Sequence, residues 1–170
     1  MDNKLPNPPV PITSTHDFSS FDCGIPALNT YLQKYSILNH QSGAARTFVA
    51  TQGQQIVGYD TLAYGSVSPI KVPARVSQGL GQYPIPILLL ARLAVDKAEQ
   101  GKGLGKGLVK DALVRALQAS EIAGLQAVVV HAKDESAKAF YQQFGFEPSP
   151  LDELHLYLLM KDLKRALKSR

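Results

Sequence analysis

The chain has 170 residues, 45% of them hydrophobic and 19% charged, which excludes a wholly disordered protein and fits one globular domain. Eighteen Lys and Arg stand against 14 Asp and Glu, a formal charge of +4 that permits an anionic partner without requiring one. The single cysteine, Cys23, excludes a disulfide scaffold and a cysteine-built metal site, so no metal is expected and a reducing, cytoplasmic compartment is.

Residues 1–11 carry Pro6, Pro8, Pro9 and Pro11 and are expected as an extended lead-in without the basic start and apolar run of a signal peptide. Leu28, Tyr31, Leu32, Tyr35 and Leu38 recur at helical spacing and predict a helix from about Gly24 to Asn39, stopped by Ser42-Gly43. Arg46–Thr51, a Gln52-Gly53-Gln54 turn and Gln55–Tyr64 predict a β-hairpin. Residues 67–86, with Pro69, Pro73, Pro84, Pro86, Gly79 and Gly81, read as a long loop of the kind that often carries function. Ile87–Val95 is nearly continuous in apolar residues and predicts a central strand. Ile85–Leu90, with Pro86 inside it, is far too short to span a bilayer, so no membrane partner is expected.

A helix follows from about Leu104 to Ser120, with Leu104, Leu108, Val109, Ala112, Leu113, Ala116 and Leu117 on one face. Ala127–His131 predicts a second buried strand. Ser136–Phe144 predicts a short helix capped by Asp134 or Ser136 and closed by Gly145. Leu154–Met160 predicts a last strand, and Lys161–Arg170 a helical tail with five basic residues against Asp162. Strand–helix–strand from 87 to 131 implies a parallel crossover, and the hairpin implies antiparallel strands. The expected architecture is one α/β domain over 1–170, a mixed and mostly antiparallel sheet with helices on both faces.

The turn after the central strand carries the sharpest chemistry. Gly101, Gly103 and Gly105 lack Cβ atoms, so their N–H groups can approach a ligand closely. The turn opens a helix whose first N–H groups are unsatisfied and whose dipole end is positive, with Lys102 and Lys106 beside it. Such a turn cradles phosphate. It is not a Walker loop: Gly101–Lys106 is one residue short, and Gly107 stands where Ser or Thr would hold magnesium. The dinucleotide spacing G-x-G-x-x-G is also missing.

Gln100-x-x-Gly103-x-Gly105 does resemble the pyrophosphate loop of the GNAT N-acetyltransferases. Arg92-Leu93-Ala94-Val95-Asp96 resembles their cofactor strand, and Phe140-Tyr141-x-x-Phe144-Gly145-Phe146 their F-Y-x-x-x-G-F segment. Phe21-Asp22-Cys23-Gly24, Leu28-Asn29-Tyr31-Leu32, Ala45–Ala50, Leu88–Asp96 and Phe144–Pro150 resemble the GNAT-type toxins of bacterial type II toxin–antitoxin pairs. The resemblance implies the GNAT fold and transfer of acetyl from acetyl-CoA to the free α-amine of aminoacyl-tRNA, which stops translation. It also implies a ribbon-helix-helix antitoxin, contact with operator DNA only through that antitoxin, and homodimerisation.

By the same resemblance, Leu93, Ala94 and Val95 face the pantetheine and thioester. Gln100, Gly101, Lys102, Gly103, Leu104, Gly105 and Lys106 take the pyrophosphate, and Tyr141 is the general acid. A tyrosine hydroxyl of pKa ~10 can donate to a departing thiolate of pKa ~8.5. No general base stands out. His131 ends a strand, and His16, His40 and His155 have no evident partner in the sequence. A free α-amine, with pKa ~7.7–8.0, is partly neutral already. Many GNAT enzymes carry an asparagine before the motif helix, where this chain has Lys133-Asp134-Glu135-Ser136. Arg46, Arg75 and Arg92 are candidates for the anionic substrate, Arg92 because it interrupts an apolar strand. Two other readings predict different behaviour. An acetyltransferase of small amines or protein N-termini would work without RNA, and a non-catalytic co-repressor would not need Tyr141.

Overall fold

A computed structural model of the chain describes residues 5–79 and 83–168. Gly81 of the expected loop and Arg170 of the expected tail lie outside the described residues. The chain forms two compact units, Met1–Ala63 with Ala91–Ala112, and Tyr64–Leu90 with Leu113–Arg170. Among the described residues, seven strands are hydrogen-bonded in the order β1-β2-β3-β4-β5-β7-β6.

In the first unit, β1 (Val10–Pro11) pairs antiparallel with β2 (Arg46–Gln52), which pairs antiparallel with β3 (Gln55–Val67). Pro11 suits the outermost strand, where a missing N–H costs no ladder bond. Gly53, at φ +64°, makes the hairpin turn. The helix expected at 24–39 is one run in three parts: α1 (Pro26–Thr30), a π-turn (Tyr31–Tyr35) and α2 (Ser36–Ser42). Gly43 ends it in the left-handed conformation, at φ +84°.

This helical run covers one sheet face, where Tyr31 and Leu32 pack with Phe21, Val49, Ile56, Tyr59 and Ala94. Leu32 has no exposed surface, and burial of such a side chain stabilises by about 1.5–3 kcal/mol. Leu104 and Leu108 of α4 (Leu104–Ile122) cover the other face against Ala50, Val57, Leu93 and Val95. Gly58 permits this approach: a Cβ there would lie 3.0 Å from Leu104 Cδ2 and 3.2 Å from Leu108 Cδ1.

In the second unit, β4 (Ile85–Val95) and β5 (Ala127–His131) form the expected parallel ladder, from Ile87↔Ala127 to Leu90↔Val130. β7 (His155–Leu159) pairs antiparallel with β5 and with a two-residue β6 (Glu147–Pro148) that the sequence did not signal. β4 starts two residues earlier than expected, running through Pro86, whose carbonyl accepts from Gln126 N at 2.9 Å. The expected loop is partly helical: a 3₁₀ turn (Pro69–Lys71) and α3 (Ala74–Ser77) seat Val72 and Val76 in the core.

α5 runs Glu135–Gln142, starting one residue and ending two residues earlier than expected; Asp134 sets the start by accepting from Ala137 N at 2.8 Å. The basic tail is α6 (Met160–Lys168), anchored by buried Met160 and Leu163. No described helix is long and apolar enough to cross a membrane.

Candidate active site

The anion loop lies wholly in the first unit. β4 continues from Leu90, where its ladder with β5 stops, through Ala91 to Val95. Ala94 is buried, and Leu93 and Val95 are half-buried. Asp96 then turns the chain: its carboxylate accepts from Ala98 N at 2.9 Å and from Asp22 N at 3.0 Å. Asp22 returns the contact, its carbonyl accepting from Lys97 N at 2.9 Å and its carboxylate lying 3.4 Å from Lys97 Nζ. Asn29 completes the brace by donating to Asp22 Oδ1 and accepting from Cys23 N. The Phe21–Gly24 and Leu28-Asn29 segments are therefore the buttress of the loop.

Gln100 is bound into the same buttress. Its Nε2 donates to Val95 O at 2.9 Å and to Cys23 O at 3.0 Å. The side chain fixes where the loop leaves the strand.

Gly101 at φ +80° and Gly103 at φ +89° take left-handed backbone angles that L side chains rarely adopt. A Cβ at either position would meet nothing within 4 Å, so both flanks are open to a ligand. Gly103 O accepts from Gly107 N at 3.1 Å, the first bond of α4. The N–H groups of Gly103, Leu104, Gly105 and Lys106 thus precede the helical ladder, and a glycine at the cap position offers no side chain to satisfy them. Lys106 is exposed on this first turn. Lys102 is engaged, 3.6 Å from the buried Glu99, which also accepts from Gln52 at 3.2 Å. The open backbone of the loop, with Lys106 and the exposed Lys102 beside it, fits a pyrophosphate.

The second unit carries Tyr141, in the last turn of α5. It is buried, with its ring edge-on to Phe140 at 5.1 Å and to Phe146 at 5.8 Å. Gly145, at φ +96°, turns the chain so that Phe146 can return against that ring. Asp134, at the position of the family asparagine, caps α5.

The histidines do have partners. His16 Nδ1 accepts from Thr13 N and His40 Nδ1 from Thr47 N, both at 3.0 Å. His131 and His155 face each other across β5 and β7, rings stacked 3.9 Å apart, and His155 lies 3.4 Å from Asp152. Burial first, and then His155, hold the His131 pKa below the ordinary imidazole value. Among the described residues no group of three or more His, Cys, Asp and Glu could hold a metal.

The three candidate arginines differ. Arg46 is exposed and donates to His40 O at 2.9 Å. Arg75 is neutralised: it bonds both oxygens of Glu147 and both of Asp162, with closest distances of 3.2 and 2.8 Å. It ties α3 to β6 and α6, a role that its place in a long loop did not suggest. Arg92 lies over the ring of Tyr31, 3.6 Å from its centre, a contact that sequence spacing could not show.

A strand that continues past its parallel ladder and feeds a left-handed glycine turn at a helix start has the form of the pyrophosphate loop that the sequence resembles. The acetyltransferase (GNAT) domain family matches residues 43–148, and the chain belongs to it. It is 46% identical over 156 residues to the tRNA-acetylating toxin of Mycobacterium tuberculosis (strain ATCC 25618 / H37Rv), covering 92% of this chain and 93% of that relative. Among solved structures, AtaT complexed with acetyl-methionyl-tRNAfMet superposes with a TM-score of 0.86 at 30% identity, covering 94% of this chain and 98% of that one. A tyrosine-to-phenylalanine mutant of AtaT, bound to the C-terminus of the antitoxin AtaR and acetyl-CoA, superposes with a TM-score of 0.80 at 28% identity, covering 94% and 96%.

Proposed function

We propose that this protein is a toxin that transfers the acetyl group of acetyl-CoA to the α-amine of aminoacyl-tRNA, so blocking translation, and that an antitoxin neutralises it. The observation that carries the reading is the braced Gly101–Gly103 turn at the start of α4, in a chain 46% identical to a tRNA-acetylating toxin. The whole chain acts as one acetyltransferase domain. The antitoxin is of the ribbon-helix-helix type, the toxin contacts operator DNA only within that complex, and the toxin is a homodimer.

Acetyl-CoA, when bound, supplies the activated thioester. The N–H groups of Gly101 to Lys106 and the Lys106 ammonium hold its pyrophosphate, and the backbone of Leu93, Ala94 and Val95 orients the pantetheine. Gln100 supports this site from behind. Tyr141 Oη gives a proton to the departing sulfur as the amine nitrogen bonds to the acetyl carbon and the carbon–sulfur bond breaks. The attacking amine loses its own proton to solvent, solvent returns one to Tyr141, and the amine's pKa of ~7.7–8.0 makes a dedicated base unnecessary.

The test is transfer of labelled acetyl from acetyl-CoA to a bulk charged tRNA pool, with deacylated tRNA as control. Label should enter only the charged pool. Tyr141→Phe should lose about 10²–10⁴-fold in kcat, the usual worth of a general acid, and bind acetyl-CoA as tightly as the native protein. Label entering small amines or peptides instead would replace the tRNA reading with the metabolic one. Unchanged turnover in Tyr141→Phe would remove Tyr141 from the chemistry.

A further inference from the structure

Arg92 is the only charged residue in β4, and it lies half-buried on the strand that leads into the acetyl-transfer segment. Two residues of strand, about 6.5 Å, separate it from Ala94 on the same face. Its guanidinium carbon lies 3.6 Å from the centre of the Tyr31 ring, and Tyr31 is itself fixed from behind. Asn39 Nδ2 donates to the Tyr31 hydroxyl at 3.2 Å. The ring also stacks on Tyr59, with centroids 6.5 Å apart and planes 20° apart, and Tyr59 donates to Leu28 O at 2.7 Å. Tyr31 opens the π-turn of the helical run, an irregularity that tends to occur at functional sites.

A ring under the guanidinium carbon is not a hydrogen-bond acceptor of the ordinary kind, and the five N–H donors still call for oxygen partners. Arg75 has two carboxylates and Arg46 a carbonyl, but among the described residues Arg92 has neither a carboxylate partner nor a hydrogen-bond acceptor. A half-buried cation whose position is fixed and whose donors are unclaimed is a receptor for an anion.

We infer that Arg92 binds a phosphate of the RNA acceptor beside the transfer site, and that Tyr31 is the positioning residue that aims it. The inference rests on the aminoacyl-tRNA reading above. In that acceptor the amino acid's carboxyl group is esterified and carries no charge, so the anions available to Arg92 are the phosphodiesters. Those nearest the reacting amine belong to the terminal nucleotides. A planar fork suits bidentate capture of such a phosphate better than an ammonium does.

The experiment measures kcat/KM for charged tRNA across a salt series, together with acetyl-CoA affinity and melting temperature. Arg92→Gln should raise KM about tenfold or more, the worth of a charge-assisted contact. It should also flatten the slope of log(kcat/KM) against log salt by ~0.7–0.9, the loss of one phosphate contact. Acetyl-CoA affinity should hold. Tyr31→Leu, which keeps the cation and removes its platform, should shift KM and slope the same way. Tyr31→Phe, which keeps the ring, should fall between it and the native protein. Arg92→Lys should keep the slope and raise KM, and it remains informative if Tyr31→Leu does not fold.

A merely structural pair gives the opposite pattern: lower melting temperatures in Arg92→Gln and Tyr31→Leu with the native salt slope. That result overturns the inference. If the native protein acetylates small amines and not charged tRNA, the substrate reading fails separately. Direct tRNA binding across the same salt series then decides the Arg92 question. A flatter slope in Arg92→Gln supports it, and an equal slope, or no tRNA binding by the native protein, overturns it.

Discussion

His40 links the helical run to β2 through a single ring nitrogen. Its Nδ1 accepts from Thr47 N at 3.0 Å, which requires that nitrogen to be unprotonated. Partial burial, and then the neighbouring Arg46 cation, hold its pKa below the ordinary ~6.5. The sign follows from linkage. As pH falls through ~6.5 the unfolded chain takes up the proton first, so stability is fully present above that value and declines toward the lowered folded pKa. His131, also held low, contributes in the same direction. We expect the urea midpoint to be lower at pH ~5.5 than at ~7.5, and His40→Asn to remove part of that difference. An identical pH dependence in His40→Asn would show that this ring does not couple to folding.

At the scale of the element, α4 gives two glycines opposite roles. Gly103 sits at φ +89° with open space around its missing Cβ, while Gly107 is inside the helix with no positive φ and nothing within 4 Å. Gly107→Ala should stabilise the fold by about 0.5–1 kcal/mol, because alanine loses less backbone freedom in a helix. Gly103→Ala should destabilise by about 1–2 kcal/mol through its backbone angle. It should also weaken acetyl-CoA binding about tenfold or more as its methyl group crowds the cradle. Urea unfolding and cofactor titration of the two variants check this. Equal acetyl-CoA affinity in both would show that the turn does not form the anion site.

The same contrast explains what the sequence could and could not show. The glycine turn, α4 and the parallel crossover were legible because apolar runs and glycine spacing are local signals. That Gln100 also braces the loop was not legible, because its partner Cys23 O is 77 residues away. The ion pairs of Arg75 were not legible, because Glu147 and Asp162 lie 72 and 87 residues away, in elements whose proximity no periodicity reports. Tyr31 read as one position of an apolar helical stripe, and only the packed structure shows the cation on its ring. β6, two residues long, has no period to detect.

At the scale of the whole molecule, β3, β4 and α4 each run through both compact units. A break between the units would cut two strands and the longest helix, so we expect one cooperative thermal transition. A ligand that binds only the folded chain raises its stability by about 2.7 kcal/mol at a hundred times its Kd. For a domain of this size each kcal/mol moves Tm by about 2–4 °C, so acetyl-CoA should raise the whole transition by roughly 5–10 °C. Tyr141→Phe should keep the full shift, because the tyrosine acts on the leaving group and not on cofactor affinity. Gly103→Ala should lose about half of it or more at the same acetyl-CoA concentration. Two separate transitions, with only one moved by acetyl-CoA, would mean that the units unfold independently and that the cofactor is held by one of them alone.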